Sequence, residues 1–163
     1  MRMAEWLGWG ALAAAVGSGI VAGIFFGFSN FIMGGLARMP AAQGAAAMQH
    51  INVVVINQLF MLFFMGTALL GVLLAIGRLI HLGKPGAILL VLGGLGYAIG
   101  NFGVTMVCNV PLNNRLAAVD PASAEGAALW ATYLKDWVFW NSVRTVAGAV
   151  SMVLLVLAWR ELT

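Results

Sequence analysis

Residues 53–80 read VVVINQLFMLFFMGTALLGVLLAIGRLI and carry a single charged side chain, Arg78. A helix needs about 20 apolar residues to cross the hydrocarbon of a bilayer, so this stretch predicts a transmembrane helix. Three further stretches have the same character and run from about Leu7 to Leu36, Pro85 to Val110 and Trp137 to Trp159. The second and fourth spans are expected to begin earlier as more polar helix, over Ala42–Asn52 and Ala124–Asp136.

The composition is that of an integral membrane protein. Of the 163 residues, 63% are hydrophobic and 8% are charged, whereas soluble domains carry roughly 25% charged residues. The net charge of +3 comes from scattered basic residues and not from the clusters that bind nucleic acid. We therefore predict an all-α protein, a single domain over residues 1–163 whose four transmembrane helices run up-down-up-down.

Basic residues near the ends of the spans favour one orientation. Four lie on the side of the termini (Arg2, Arg78, Lys84 and Arg160), and three lie on the other side (Arg38, Arg115 and Lys135). Cytoplasmic loops carry an excess of Lys and Arg. The sequence thus favours both termini in the cytoplasm, in a bacterial inner membrane.

Small residues recur at every fourth position of the first span, at Gly19, Gly23 and Gly27. Such a stripe lets two helix backbones approach closely. It is explained by packing within the four-helix bundle or, alternatively, by a homo-oligomer that forms through these glycines.

Polar residues are concentrated in one half of the predicted bundle, the half away from the termini. Polar groups are expensive inside a membrane and mark functional sites. The polar side chains of this half that we take as candidate site residues are His50, Asn52, Asn57, Asn101, Thr105, Asn109, Asn113, Asp136, Asn141 and Arg144.

Helical spacing places several of these residues on common faces. Asn101, Thr105 and Asn109 are four residues apart, and His50 and Asn57 are seven apart. On the fourth span, one face is expected to carry Trp137, Trp140, Asn141, Arg144 and Gly148. These faces predict a pocket that opens on the side away from the termini, with Arg144 about 10 Å inside the span. A buried arginine of this kind faces the bundle interior and marks a site.

Simpler explanations stand beside this hypothesis. Intramembrane Asn residues often only join helices, at about 0.6 kcal/mol each. His50 and His81 are expected on opposite sides of the membrane, so a shared metal site is not predicted, and the single cysteine, Cys108, excludes an intramolecular disulfide. Asp136 is read as a surface partner of a basic residue or as a general base.

Four runs of the sequence resemble the anthrone oxygenase-like family of small four-helix membrane proteins. They are FFGFSNFIMGGLARMP (residues 25–40), AMQHIN (47–52), GVTMVCNVPLNNRLA (103–117) and WATYLKDWVFWNSVRT (130–145). Together they extend the resemblance over nearly the whole chain. Family members often have a histidine where this chain has Ser142, so a mechanism through that histidine does not transfer.

The resemblance implies oxygenation of an activated CH₂ group in an aromatic ketone, without a bound cofactor. Such chemistry needs a base, donors for an oxyanion and aromatic walls. Asp136 or His50 is the candidate base, and Trp137 and Trp140 are candidate walls. The oxyanion donors would be Arg144, Asn141 and Asn109, and the further ligand-binding candidates are Asn52, Asn57, Asn101, Thr105 and Asn113. The alternative is a non-enzymatic protein that binds membrane lipids or a small amphipathic molecule, or that serves as a partner subunit.

Overall fold

The computed structural model describes residues 3–79 and 81–163. Within these residues the chain is helical and has no strand. The α-helices are α1 (Met3–Gly27), α2 (Met33–Ala37), α3 (Ala41–Val54), α4 (Gln58–Leu79), α5 (Ala87–Tyr97), α6 (Val110–Ala117) and α7 (Ala124–Leu162). Arg2 and Ile80, which the sequence analysis used, lie outside the described residues.

Among the residues that the structure describes, four helical stretches are long and apolar enough to cross a membrane: Glu5–Ala37, Gln58–Leu79, Ala87–Ala117 and Ala124–Leu162. In the bundle, α1 packs against α4 and α7, and α5 packs against the same two helices. Each helix therefore has antiparallel neighbours, and the prediction of an all-α bundle of four membrane-spanning helices is confirmed.

The first and third spans each contain π-helical turns in the half away from the termini. These turns lie at Phe28–Ile32, Ala98–Gly103 and Thr105–Asn109. A π turn interrupts the regular hydrogen-bond ladder and is frequent at functional sites. All three lie at the level of the polar residues that the sequence singled out.

The second span begins later than predicted, because the chain turns at residues 55–57 between α3 and α4. Asn57 makes this turn: its Oδ1 accepts the N–H of Phe60 at 3.0 Å and its Nδ2 donates to the carbonyl of Val54 at 3.1 Å. It thus caps α4 and closes α3. The prediction that His50 and Asn57 share a helical face is wrong, because His50 lies on α3 and Asn57 lies in the turn that follows it.

The fourth span is one unbroken helix, α7, which Ser123 begins by accepting the N–H of Gly126 at 2.9 Å. Its 39 residues measure about 58 Å at 1.5 Å per residue, well beyond the roughly 30 Å of hydrocarbon in a bilayer. The polar beginning of α7 extends beyond the bundle, where α3 and α6 pack against it. We call α3, α6 and this part of α7 the cap.

Two of the three glycines in the stripe of the first span, Gly19 and Gly27, lie close to side chains of the same chain. A Cβ at Gly19 would lie 2.7 Å from the sulfur of Met152 on α7, and one at Gly27 would lie 3.4 Å from Phe31. Only Gly23 of the three has open space. The homo-oligomer through these glycines stays a prediction.

Another glycine controls how closely α4 approaches α5. A Cβ at Gly71 would lie 3.0 Å from the backbone of Gly94. Gly71→Ala is expected to lower the free energy of unfolding by about 1–3 kcal/mol, the usual cost of overpacking. Gly77→Ala on the same helix is the matched control, because nothing lies within 4 Å of its Cβ position. Unfolding in detergent micelles, followed by circular dichroism, measures both; equal stability of the two variants would contradict this view of the interface.

Candidate functional site

A cavity of about 240 Å³ lies below the cap, in the half of the bundle away from the termini. Four polar side chains line it: Asn52, Thr105, Asn113 and Arg144. Most of the remaining wall is apolar, and its aromatic members are Phe25, Phe28, Phe60, Phe64 and Trp137. The volume is slightly below the roughly 300–1,000 Å³ typical of drug-sized ligands. The cavity therefore suits a small, largely aromatic ligand with a few polar groups.

The aromatic side chains hold one another in place around the cavity. Phe60 stacks on Phe64 with ring centroids 5.5 Å apart, and Phe25 meets Phe64 edge-on at 6.4 Å. On the other side, Phe28 meets Trp137 at 5.7 Å. Such pairs stabilise beyond the area that they bury, which makes the wall a fixed surface for a flat ligand.

Arg144 is 4% exposed and holds the polar end of the cavity. Its two terminal nitrogens donate to Thr105 Oγ1 at 3.0 Å and to Asn141 Oδ1 at 2.7 Å. The guanidinium carbon lies 4.0 Å from the ring centroid of Phe25 and 5.3 Å from that of Trp137. Within the described part of the chain, the guanidinium has no carboxylate partner, and its buried Nε has no acceptor. The arrangement is a fixed cation that is held by neutral groups.

Asn141 fixes the position of this cation. It is fully buried, and its Nδ2 donates to the carbonyl of Phe25 and to Ser29 Oγ, both at 2.7 Å. Its Oδ1 is thereby directed at Arg144. Asn141 does not line the cavity, so it acts on a ligand through Arg144.

A second set of hydrogen bonds joins the cavity to the cap. Asn113 Oδ1 accepts both Tyr133 OH and Trp137 Nε1, each at 2.8 Å, and Asn52 Nδ2 lies 3.4 Å from the same tyrosine oxygen. The amide oxygen of Asn113 is thus occupied. Its NH₂ group makes no hydrogen bond within the described residues and remains a donor for a ligand.

Asn101 and Asn109 are buried and contact the backbone of α7. With its amide turned to satisfy both neighbours, Asn101 donates to the carbonyl of Arg144 at 3.3 Å and accepts the N–H of Gly148 at 3.0 Å. Asn109 Nδ2 donates to the carbonyl of Trp137 at 3.3 Å. Thr105 faces α7 as well, through Arg144, so all three residues of this predicted stripe contact the same helix.

Seven predicted site residues do not line the cavity: besides Asn101, Asn109 and Asn141, they are His50, Asn57, Asp136 and Trp140. His50 is exposed on the outer face of α3, and Asn57 is exposed in the turn before α4. Asp136 is half-buried and precedes Trp137, so it projects about 100° around the helix from the cavity wall. Trp140 packs edge-on against Phe139, with centroids 5.1 Å apart, and does not line the cavity.

Several residues of the site were not singled out from the sequence. The wall of phenylalanines comes from the first two spans, where the spacings Phe25–Phe28 and Phe60–Phe64 are those of one helical face. Tyr133 was missed as well, although it lies four residues before Trp137 and therefore on the same buried face of α7. In residues 3–79 and 81–163, no group of three or more His, Cys, Asp or Glu side chains is arranged to hold a metal ion.

Comparison with known families gives one match. A family model described as anthrone oxygenase matches residues 57–154, more than half of the chain. The matched stretch contains Thr105, Asn113, Trp137 and Arg144, whereas the first two runs of resemblance, residues 25–40 and 47–52, lie outside it. No curated protein and no solved structure shows significant similarity to the chain.

Proposed function

Because the chain belongs to the anthrone oxygenase family, we propose that it oxygenates an anthrone-like aromatic carbon acid in the cavity beside Arg144. The observation that carries the proposal is this buried guanidinium, which has no carboxylate partner among the described residues and faces an aromatic cavity. A fixed cation placed where negative charge develops is an arrangement that stabilises an oxyanion.

The substrate supplies the electrons for the reaction. Loss of a proton from its CH₂ group gives an anion whose charge lies largely on the ketone oxygen, beside the guanidinium. This anion passes one electron to O₂, and the carbon radical combines with the resulting superoxide to form the C–O bond of a peroxide. The peroxide anion takes up a proton in place of the one lost at the start, and its O–O bond then breaks as the remaining C–H proton leaves, which gives a new C=O group and water.

Arg144 promotes the first of these steps. Each 1.36 kcal/mol by which the site favours the anion lowers the pKa of the bound carbon acid by one unit. The NH₂ group of Asn113 is a second donor at the cavity wall. Neither Asp136 nor His50 lines the cavity, so the proposal assigns the proton to water and not to a protein base.

Oxygen consumption by the purified protein tests the proposal. With anthrone, we expect O₂ uptake matched by an equal amount of quinone, and we expect it to persist in the presence of a metal chelator. The control substrate is 10,10-dimethylanthrone, which has the same rings but no proton to lose at the reacting carbon. Equal uptake with both compounds, or uptake that the chelator abolishes, would contradict the mechanism.

A second candidate function is binding without catalysis. The cavity is mostly apolar, and three of its lining residues, Ile24, Ile56 and Met106, are exposed on the outside of the bundle. This favours a lipid or another amphipathic molecule as the occupant. Mass spectrometry of small molecules that copurify with the protein separates the two functions: an acyl lipid supports binding, and a polycyclic aromatic ketone or quinone supports the oxygenase.

The proposed orientation, with both termini in the cytoplasm of a bacterial inner membrane, is tested with the two lysines of the chain. Lys84 and Lys135 lie at opposite ends of the bundle, and both are exposed. A membrane-impermeant lysine reagent is expected to label Lys135 in intact spheroplasts and Lys84 only in inverted vesicles. The variants Lys84→Arg and Lys135→Arg assign each signal to its residue. Labelling of Lys84 from outside the cell would reverse the orientation.

A further inference from the structure

The cavity reaches the side of the bundle between α1 and α4. Ile24, Val55 and Phe60 line the cavity and also line a groove on the outer surface. Ile24 is 36% exposed, although it forms part of an internal wall. These three side chains therefore separate the interior from the lateral surface by a single layer.

Beneath the buried aromatic cluster of the cap, the cavity is closed, whereas a groove on the outer face of α3 shares Ile51 and Val55 with it. Met48 and Trp137 form its ceiling and belong to a buried cluster with Tyr133 and Trp130. Asn113 ties the ceiling together by accepting hydrogen bonds from Tyr133 and Trp137. The polar groove on the cap surface, between Arg115 and Thr132, shares no lining residue with the cavity.

The side of the cavity that is formed by Ile24, Val55 and Phe60 lies at the edge of the hydrocarbon layer. Helix α4 has 22 residues, or about 33 Å at 1.5 Å per residue, so it spans the hydrocarbon and its first residue lies near the boundary. The end of α3 and the turn just before α4 carry exposed apolar side chains, Val54 at 71% and Ile56 at 70%. Exposed apolar side chains at this depth are more favourable in contact with lipid acyl chains than in contact with water.

We infer that the ligand enters the cavity sideways from the bilayer, through a portal formed by Ile24, Val55 and Phe60. The ligand class is an uncharged aromatic molecule dissolved in the lipid, because a charged one pays a large penalty in hydrocarbon. It becomes an anion only after it reaches Arg144. The inference deepens the proposed function and rests on it only in taking this cavity as the ligand site.

Photolabelling in lipid vesicles tests the portal without requiring turnover. The probe is an uncharged aryl diazirine that partitions into the bilayer, used with glutathione in the water to trap any carbene there. Fragment mass spectrometry locates the adducts. We expect labelling at Thr105, which lines the cavity, as well as at Leu69, which is exposed on the outer face of α4.

Two substitutions at the portal give opposite expectations. Ile24→Trp is expected to reduce labelling at Thr105 to that of a fully buried residue such as Leu90, and Ile24→Ala is expected to increase it. Labelling at Leu69 remains unchanged in both if the bundle is folded. Val16→Trp is the matched control, because Val16 is exposed on α1 and lines neither the cavity nor the groove.

Three outcomes would overturn the portal. They are unchanged labelling of Thr105 in Ile24→Trp, an equal loss in Val16→Trp, and loss of the Thr105 adduct when glutathione is added. Oxygen uptake with anthrone is measured separately, and none of these three outcomes decides its result. Conversely, labelling as expected without any oxygen uptake would support the portal and overturn the oxygenase.

Discussion

Arg144→Ala is expected to lower oxygen uptake with anthrone by about 100-fold or more, since removal of one preorganised donor from an oxyanion site costs about 10²–10³ in turnover. The bundle should still fold, because the groups that Arg144 contacts are neutral and the substitution leaves no buried charge. The comparison is made at equal helical content, measured by circular dichroism.

Arg144→Lys is expected to be almost as damaging as the alanine variant. The planar guanidinium contacts Thr105 and Asn141 with separate nitrogens while its face lies over Phe25. The ammonium group of a lysine is a point charge and cannot make these three contacts at the same time.

The matched control for these variants is Arg78→Lys. Arg78 is a second buried arginine, 9% exposed, in the last turn of α4 at the opposite end of the bundle. Turnover is expected to be unchanged in this variant. Wild-type turnover in Arg144→Lys would show that only the charge matters, and an equal loss in Arg78→Lys would show a general effect on the bundle.

The sequence predicts the bundle and the importance of Arg144 for the same physical reason. A bilayer demands long apolar helices, and it makes a buried cation so unfavourable that such a residue is conspicuous. Periodicity also predicts correctly that Asn141 and Trp137 lie on the buried face of α7. It misplaces Trp140, because the buried positions of α7 advance from Trp137 to Asn141 and Arg144, and Trp140 lies beside that stripe.

Other features depend on tertiary contacts that spacing does not encode. The turn at Asn57 interrupts an apolar run that reads as one helix, and only the side-chain hydrogen bonds of Asn57 show that it ends α3 and begins α4. The π turns change the phase of the first and third spans. The wall of phenylalanines was missed for a different reason: in the sequence, side chains such as Phe25 and Phe64 read as ordinary lipid-facing or core residues.

The second large effect is expected at Asn141, this time on folding as well as turnover. Asn141→Leu keeps the branched shape and the number of side-chain heavy atoms but removes the acceptor of Arg144 and the donor to Phe25 and Ser29. A hydrogen bond to a charged group contributes about 1.5–3 kcal/mol, and the arginine is left buried with fewer partners. We expect the free energy of unfolding in bicelles, measured by steric trapping, to fall by about that amount.

Ser142→Ala is the control for this prediction. The Ser142 hydroxyl contacts Ser29 at 2.9 Å and its own helix at Val138 at 2.8 Å, but not Arg144. Its loss should cost only about 0.6 kcal/mol, the average for hydrogen bonds between membrane helices. Oxygen uptake should fall strongly in Asn141→Leu, because the guanidinium is no longer held, and remain close to wild type in Ser142→Ala. If both variants lose equal stability and keep full turnover, Asn141 is a packing residue and the position of Arg144 is set by Thr105 and the aromatic rings alone.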